Sequence, residues 1–467
     1  MIKTNLKQIA VMCNGKLPSQ VNEEIQVTGV VTDSRHITKG CLFVPLAGER
    51  FDAHDFAAAA IEAGASAILW SRAGEEPPGP AIIVDDTLAA LQAMAASYLA
   101  SSSAKVIGIT GSNGKTTTKD MVYAVLSTIY KVHKTQGNFN NHIGMPLTIL
   151  SMPVDSDFIV LEMGMSDRGE IKLLSELARP ETVIITNIGE SHLLQLGSRL
   201  EIARAKLEIM TGLQSDGLLI CNGDEPLIQQ VLEETDTHKP QQFNKMTFGL
   251  GQHNDEFPSE MNFTQDSVSF MTHQGVNRTY TLPLLGEHNV VNSLAALIVA
   301  RHYKVPEEKI VQGLQRLALT GMRIEFIACE NGITVLNDAY NASPTSMKAA
   351  IHVLENMKGY QRKIAVLGDM LELGASEGKY HEEIGNLLDA SKLDYLFTLG
   401  ELGKRIAEGA KKRLDEKKIY AYTDKAELIA KLETMLSPDD VVLVKASRGM
   451  ALEKVVEQIK QFKHQNI

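Results

Sequence analysis

Between residues 105 and 118 the chain passes from an apolar run, Lys105 to Thr110, through Gly111-Ser112-Asn113-Gly114-Lys115 into a helix-forming segment that begins at Thr116 and Thr117. A strand led through glycines onto a helix N-terminus is the phosphate-loop arrangement, and it points to a largely parallel α/β sheet around it. Glycines let backbone N–H groups turn toward phosphate oxygens, and the helix dipole favours the anion. Lys115 then reaches the β- and γ-phosphates while Thr116 holds Mg²⁺. The spacing departs from the strict pattern, whose first glycine would fall at Ile109; here the glycine is Gly108 or Gly111.

The β-runs that follow, Phe158 to Met163, Thr182 to Asn187 and Gly217 to Cys221, are separated by helix-length segments, which extends the parallel alternation. An irregular β-rich stretch, Met246 to Pro283, precedes a helix from Asn289 to His302. A second alternation then places strands at Thr334 to Asn337, Lys363 to Gly368, Tyr395 to Gly400 and Val441 to Lys445. Upstream, short strands at Gln26 to Val31, Leu42 to Leu46, Ala67 to Trp70 and Ala81 to Val84 surround an alanine-rich helix from His54 to Gly64. A Pro/Gly cluster, Pro77-Pro78-Gly79-Pro80, punctuates the end of that block. A chain of 467 residues exceeds what one core sustains. We therefore expect three domains, 1–84, 85–318 and 319–467.

The formal net charge of −11 disfavours nucleic acid or an anionic membrane as the main partner and leaves room for local basic pockets. No apolar run reaches the length of a membrane span and the first residues show no targeting pattern, so a cytoplasmic protein is expected. Cys13, Cys41, Cys221 and Cys329 lie too far apart for a zinc motif or a disulfide framework.

A phosphate loop alone does not choose among switch, motor, kinase and ligase. Guanine specificity is disfavoured, because Asn244-Lys245-Met246-Thr247 lacks the closing aspartate. Glu162 ends the run Phe158-Ile159-Val160-Leu161 at the sheet edge where metal and nucleotide bind in such folds, and reads as a metal ligand or a plain strand-end acid. His192, in the loop after Thr186-Asn187, reads as a metal ligand or a packing residue. On the predicted helix Leu200 to Leu213, Lys206 has Ile202, Ala203, Ile209 and Met210 three and four residues away, all apolar. Arg204, by contrast, has Glu201 and Glu208 to pair with. Lys206 is either a snorkelling lysine or a cation whose pKa falls until it is a nucleophile, including toward CO₂, which would turn it into a carbamate and a metal ligand.

Together the phosphate loop with Thr117 and Thr118, Asn138-Phe139-Asn140-Asn141-His142-Ile143-Gly144, Glu162-Met163-Gly164-Met165, the Lys206 helix, Gly286-Glu287-His288-Asn289-Val290-Val291-Asn292 and Asp338-Ala339-Tyr340-Asn341-Ala342-Ser343-Pro344 resemble the Mur ligases of peptidoglycan synthesis. The resemblance runs over essentially the whole chain. Tyr340 to Pro344 and Gly368-Asp369-Met370-Leu371-Glu372-Leu373-Gly374 resemble the members that add D-alanyl-D-alanine to UDP-N-acetylmuramoyl-tripeptide. It implies an N-terminal domain for the UDP end of the precursor, a central ATPase domain and a C-terminal Rossmann-like domain for the amino component.

It further implies ATP and two Mg²⁺ ions. Gly111, Ser112, Asn113, Gly114, Lys115, Thr116 and Thr117 would cradle the phosphates, with Thr116 and Glu162 on one ion and His192 and carbamylated Lys206 on the other. Asn289 and Asn292 would read adenine, while Arg323, Asp338 and Tyr340 would close over the nucleotide. Asn141 and His142 would lie near the reacting carboxyl group, and Asp369, Glu372, Ser447 and Arg448 near the peptide ends. Ser34, Arg35, Gly48 and His54, within Asp33 to Arg35 and Phe43 to Phe56, would hold the UDP moiety, although Ala53 stands where relatives usually carry glycine. A monomer is expected. The alternatives are a ligase for another amino component and a nucleotide-driven switch or binding module.

Overall fold

In the computed structural model, which describes residues 1–48, 51–234, 238–264, 266–275, 278–321 and 325–462, the chain builds three successive α/β blocks. The central block is a six-stranded, wholly parallel sheet in the order Asn244–Phe248, Leu218–Asn222, Thr182–Ile185, Lys105–Thr110, Phe158–Glu162, Val132–Lys134. Its inner strands are apolar on both faces because helices cover both, as a parallel sheet requires. The phosphate-loop strand Lys105–Thr110 lies between Thr182–Ile185 and Phe158–Glu162, so residues leaving all three strands meet at one edge.

The C-terminal block repeats this logic. Strands Thr334–Asp338, Asp440–Lys445, Arg362–Gly368, Tyr395–Leu399 and Ile419–Tyr422 run parallel, and Glu325–Ala328 is an antiparallel edge. The irregular stretch after residue 246 resolves into strand Asn244–Phe248 of the central sheet and a three-stranded antiparallel sheet, Pro258–Phe263, Val268–Thr272 and Tyr280–Leu282.

The N-terminal block holds a four-stranded parallel sheet, Val30–Val31, Leu42–Phe43, Ala67–Trp70 and Ala81–Ile83, and a separate antiparallel pair, Lys3–Asn5 with Gln26–Thr28. The run expected from Gln26 to Val31 is thus split between two sheets. Gly29, at φ 89°, turns the chain between them. The expected strand from Leu42 to Leu46 stops at Phe43.

Asp86 caps the next helix, Thr87–Ala100, by accepting from the N–H groups of Leu88 (2.7 Å) and Ala89 (2.8 Å). That helix buries Leu91, Met94, Ala95, Tyr98 and Leu99 in a core that is continuous from Ile2, Leu6 and Ile9 to Met145, Ile149 and Ile159. One core thus spans the composition break near residue 84, beside a smaller cluster of Phe43, Ala57, Ile68 and Trp70 that lies wholly before it. The backbone N–H of Ile2 even donates to Leu150 O at 2.8 Å.

Candidate active site

The phosphate loop is shaped by what presses on it. Gly111 (φ 144°) lies against Thr186, whose hydroxyl would collide with any Cβ there, and a Cβ at Gly114 (φ 79°) would stand 2.5 Å from Asn292 Oδ1. The end of the neighbouring strand pins the turn: Asn187 O accepts from Ser112 N–H at 3.0 Å, and Asn187 Oδ1 from Asn113 N–H at 2.9 Å. Ser112 Oγ and Asn113 Nδ2 are buried without a hydrogen-bond partner among the described residues, a state that an oxygen-rich anion would relieve. Lys115 Nζ folds over the loop and donates to Gly111 O at 2.8 Å.

Beside the loop, Thr116 Oγ1 donates to Glu162 Oε2 at 2.9 Å, and Asn140 Nδ2 donates to Glu162 Oε1 at 2.9 Å. Glu162 is buried at the end of its strand, as the pattern predicts. A hydroxyl and a carboxylate side by side are hard oxygen donors that suit Mg²⁺. Asn140 was not singled out by the sequence reading, which placed Asn141 nearest the chemistry. Both line the cavity, but Asn141 Oδ1 also accepts from Gly144 N–H at 2.8 Å at the start of helix Gly144–Ser151.

Lys206 is fully buried on helix Arg199–Leu207. Burial, and then the charge of Lys115, hold its pKa well below that of an ordinary lysine. Its amine is not at the cavity wall, whereas His192 is. Burial, followed by the charges of Lys206 and Lys115, lowers the His192 imidazole to about 4, so it is neutral near pH 7 and has a lone pair to give. The partner of Arg204 differs from expectation. It bonds Glu201 and Glu234, while Glu208 receives Arg168 Nε and the N–H of Gly169, each at 2.9 Å. After Leu207 the helix tightens to 3₁₀, which turns Glu208 off the Arg204 face.

Ser112, Asn113, Lys115, Asn140, Glu162 and His192 border a cavity of about 530 Å³ closed on its far side by the C-terminal block through Asp338, Tyr340, Asn341, Thr345 and Lys445. Two hydrogen bonds cross it at the rim: Ser343 Oγ to Asn113 Oδ1 (3.2 Å) and Thr345 Oγ1 to Glu190 Oε2 (2.8 Å). Lys445, buried at the end of its strand, donates to Asp338 Oδ2 and to Asn341 O (3.0 Å). Sequence reading passed over it, although a lysine closing the apolar run Val441 to Val444 mirrors the signal that exposed Glu162. His288, also in the cavity wall, is likewise lowered to about 4, mainly by burial.

Asn289 and Asn292 line the same cavity from helix Glu287–His302. Asn289 Nδ2 donates to Leu285 O at 2.8 Å, and Asn292 abuts Gly114. Arg323 lies outside the described residues. A second cavity of about 220 Å³, next to His192, takes in Glu372, Ser447 and Arg448. Asp369 turns away to accept from Gly403 N–H at 2.6 Å and cap helix Gly403–Ala410.

In the N-terminal block, Arg35 forks onto Asp33 (Nε to Oδ1 2.9 Å, Nη2 to Oδ2 2.7 Å), which holds the Asp33 carboxyl well below the usual range, and the guanidinium is otherwise exposed. Ser34 and Arg35 sit on the 3₁₀ turn Ser34–His36. Gly48 N–H donates to Phe51 O at 2.9 Å; Glu49 and Arg50, inside the stretch expected to cradle UDP, lie outside the described residues. His54 is buried with Nδ1 2.6 Å from Asp52 Oδ1, and Arg72 Nη2 donates to Asp52 Oδ2 at 2.9 Å. Ala53 opens a 3₁₀ turn without left-handed backbone, so the position does not require glycine.

A phosphate loop, a buried carboxylate and a facing α/β block that together enclose one cavity define a nucleotide-using enzyme of the three-domain ligase type. The chain belongs to the Mur ligase family: it matches the Mur ligase family catalytic domain over residues 26–115, the Mur ligase middle domain over 109–300 and the Mur ligase glutamate ligase domain over 322–448. It is 49% identical over 461 residues to the UDP-N-acetylmuramoyl-tripeptide--D-alanyl-D-alanine ligase of Bacillus subtilis strain 168, covering 98% of this chain and 99% of the relative. The Escherichia coli K12 ligase of the same name is 34% identical, covering 99% of each. Among solved structures, MurF from Acinetobacter baumannii superposes with a TM-score of 0.87 at 31% identity over 99% of both chains. MurF from Thermotoga maritima in complex with ADP gives 0.80 at 29% identity over 93% of this chain and 97% of that one.

Proposed function

We propose that this protein is an ATP-dependent amide ligase that adds D-alanyl-D-alanine to UDP-N-acetylmuramoyl-tripeptide, releasing ADP and phosphate and making the UDP-linked pentapeptide of peptidoglycan synthesis. The observation that carries the reading is a cavity shared by two blocks, with phosphate-binding groups on one wall and Asp338, Tyr340 and Lys445 on the other. The full-length likeness to relatives named for this reaction supports it.

A carboxylate is a poor electrophile, so the γ-phosphoryl group of ATP is first moved onto the terminal carboxylate of the tripeptide. The amine of D-alanyl-D-alanine then attacks the acyl phosphate, phosphate leaves and an amide remains. Ser112, Asn113 and Lys115 receive the phosphates; Asn289 and Asn292 border the base; Asn141 and His142 flank the reacting carboxyl group. Thr116 and Glu162 would hold one Mg²⁺, and His192 with carbamylated Lys206 the other. Bound there, the two ions offset the charge gathered when phosphate meets carboxylate.

The carbamate is supported by what the unmodified residues lack. His192 and a neutral amine supply no anionic oxygen, and among the described residues no cluster of three or more His, Cys, Asp or Glu side chains surrounds a metal position. A neutral Lys206 amine attacking CO₂ forms an N–C bond, loses one proton and ends in a carboxylate that extends the side chain. Ser34, Arg35, Gly48 and His54 would hold the UDP end, and Arg323 would reach the nucleotide.

We place the enzyme in the cytoplasm as a monomer; among the described residues no helix is long and apolar enough to cross a membrane. ATP-dependent phosphate release, assayed with each acceptor and each amino component in turn, tests the reading. Release should require both the tripeptide precursor and D-alanyl-D-alanine. Release with neither present would favour a switch, and release with a free amino acid a different ligase.

A further inference from the structure

The helix that starts at Lys115 and Thr116 carries, one turn later, two buried charges with no part in the chemistry above. Lys119 and Asp120 are both buried, Asp120 Oδ1 accepts from Lys134 Nζ at 2.6 Å, and Lys119 Nζ lies 3.4 Å from the same oxygen. The second carboxylate oxygen is used differently. Asp120 Oδ2 accepts the backbone N–H of Thr320 at 2.8 Å, and Lys119 Nζ reaches Thr320 Oγ1 at 3.4 Å.

Thr320 belongs to the connection between helix Glu307–Gln315 and strand Glu325–Ala328, the passage from the central block to the C-terminal one. Helix Glu307–Gln315 is itself seated on the phosphate-loop helix, since a Cβ at Gly313 would stand 2.7 Å from Ala124 O. Leu317, Leu319, Thr320 and Gly321 border a cleft of about 240 Å³ whose opposite wall includes Phe326 and Leu336. A Cβ at Gly321 would meet nothing within 4 Å. Among the described residues, the connection is held on one side by a charge-assisted hydrogen bond and borders the cleft on the other.

We infer that Asp120, clamped by Lys119 and Lys134, is a positioning residue that fixes the pivot of the C-terminal domain by tying the backbone of Thr320 to the helix that receives the nucleotide. The inference rests on the ligase reading. Lys115, which would receive the nucleotide, and Asp120, which anchors the pivot, are then on one helix, five residues apart. A buried carboxylate is a stiff anchor, because its hydrogen bond to an N–H is stronger than a neutral one and swinging away would strand the charge.

The test compares Thr320→Pro, which removes the N–H together with the hydroxyl, with Thr320→Ala, which removes the hydroxyl and keeps the N–H. Thr320→Pro should lower kcat roughly 10- to 100-fold, the cost of misplacing reactants, while the KM for ATP moves less than about threefold. It should also abolish the compaction seen by small-angle scattering when an ATP analogue and precursor bind. Thr320→Ala should retain at least about a third of the parent kcat, because its backbone N–H still reaches Asp120 Oδ2.

Parent-like turnover and compaction in Thr320→Pro overturn the pivot. Amide hydrogen exchange in the unaltered chain is the second measurement, independent of whether either variant folds. Thr320 should be protected with and without nucleotide analogue, and exchange at the rate of an open loop overturns the inference too. Absence of any D-alanyl-D-alanine-dependent release by the parent would instead strike the ligase reading.

Discussion

Glu372 Oε2 stands 2.8 Å from Nδ1 of His192, and both residues hold left-handed backbone with φ of 65°. The contact lacks the alignment of a hydrogen bond, yet Glu372 O accepts from Leu194 N–H at 2.9 Å, so the two loops are joined across the blocks. Two non-glycine residues in this region cost on the order of 1 kcal/mol or more each, which the surrounding contacts must offset. Glu372→Ala removes the carboxylate facing the histidine and leaves the backbone bond. We expect Mg²⁺ to be needed at roughly 10-fold higher concentration, as when an outer-shell partner of a metal-binding histidine is lost. Titration of phosphate release with Mg²⁺ checks this, and an unchanged midpoint contradicts it.

Lys206→Ala should nearly abolish turnover, by about 100-fold or more, because the second ion loses its anionic ligand. Added short-chain carboxylates should partly restore it by entering the space left by the side chain. A near-normal rate in the variant refutes the carbamate.

Gly111→Ala should destabilise the chain by roughly 1–3 kcal/mol and remove ATP binding, because its Cβ has no place beside Thr186 and its φ of 144° is one few side chains adopt. Urea unfolding and calorimetric ATP titration measure the two effects. Thr186→Ser keeps the hydroxyl and should not rescue it, whereas Thr186→Gly should do so in part.

The His288 imidazole is held at about 4 when folded, against an ordinary value near 6.5. Between those values the unfolded chain binds the proton and the folded chain does not, so stability rises with pH across this window and is lost as the pH falls from about 6.5 toward 4. His288→Gln should make that part of the stability profile shallower, the remaining slope coming from His192, which is lowered to the same value, while leaving the slope above pH 7 as it was. Denaturant midpoints of both proteins at pH 4.5, 5.5 and 7 decide the matter.

Much of the fold could be read in order because it is written locally. The strands Lys105–Thr110 and Ala67–Trp70 fall where their apolar runs do, and Asp86 and Gly114 mark helix starts by their own chemistry. Glu162 and Lys206 were likewise legible, the first as an acid closing an apolar strand and the second as a cation among apolar neighbours. What escaped depends on topology. Lys445 meets Asp338 only because their strands are adjacent and parallel, a pairing across 107 residues that no local period encodes. Whether Asn140 or Asn141 faces Glu162 is settled by the loop's path, not by residue type. The turn of Glu208 away from Arg204 follows from a change of helical pitch that the apolar spacing does not reveal.

One core runs from Ile2, Leu6 and Ile9 into Met145, Ile149 and Ile159. The first 84 residues therefore cannot be lifted off the ATP-binding sheet without baring its flank. The three blocks thus make two mechanical bodies, the first two blocks sharing a core and the C-terminal block having its own. Any change of angle between blocks is then confined to the passage from the central block to the C-terminal one, and the proposed UDP-binding surface keeps its place beside the phosphate loop.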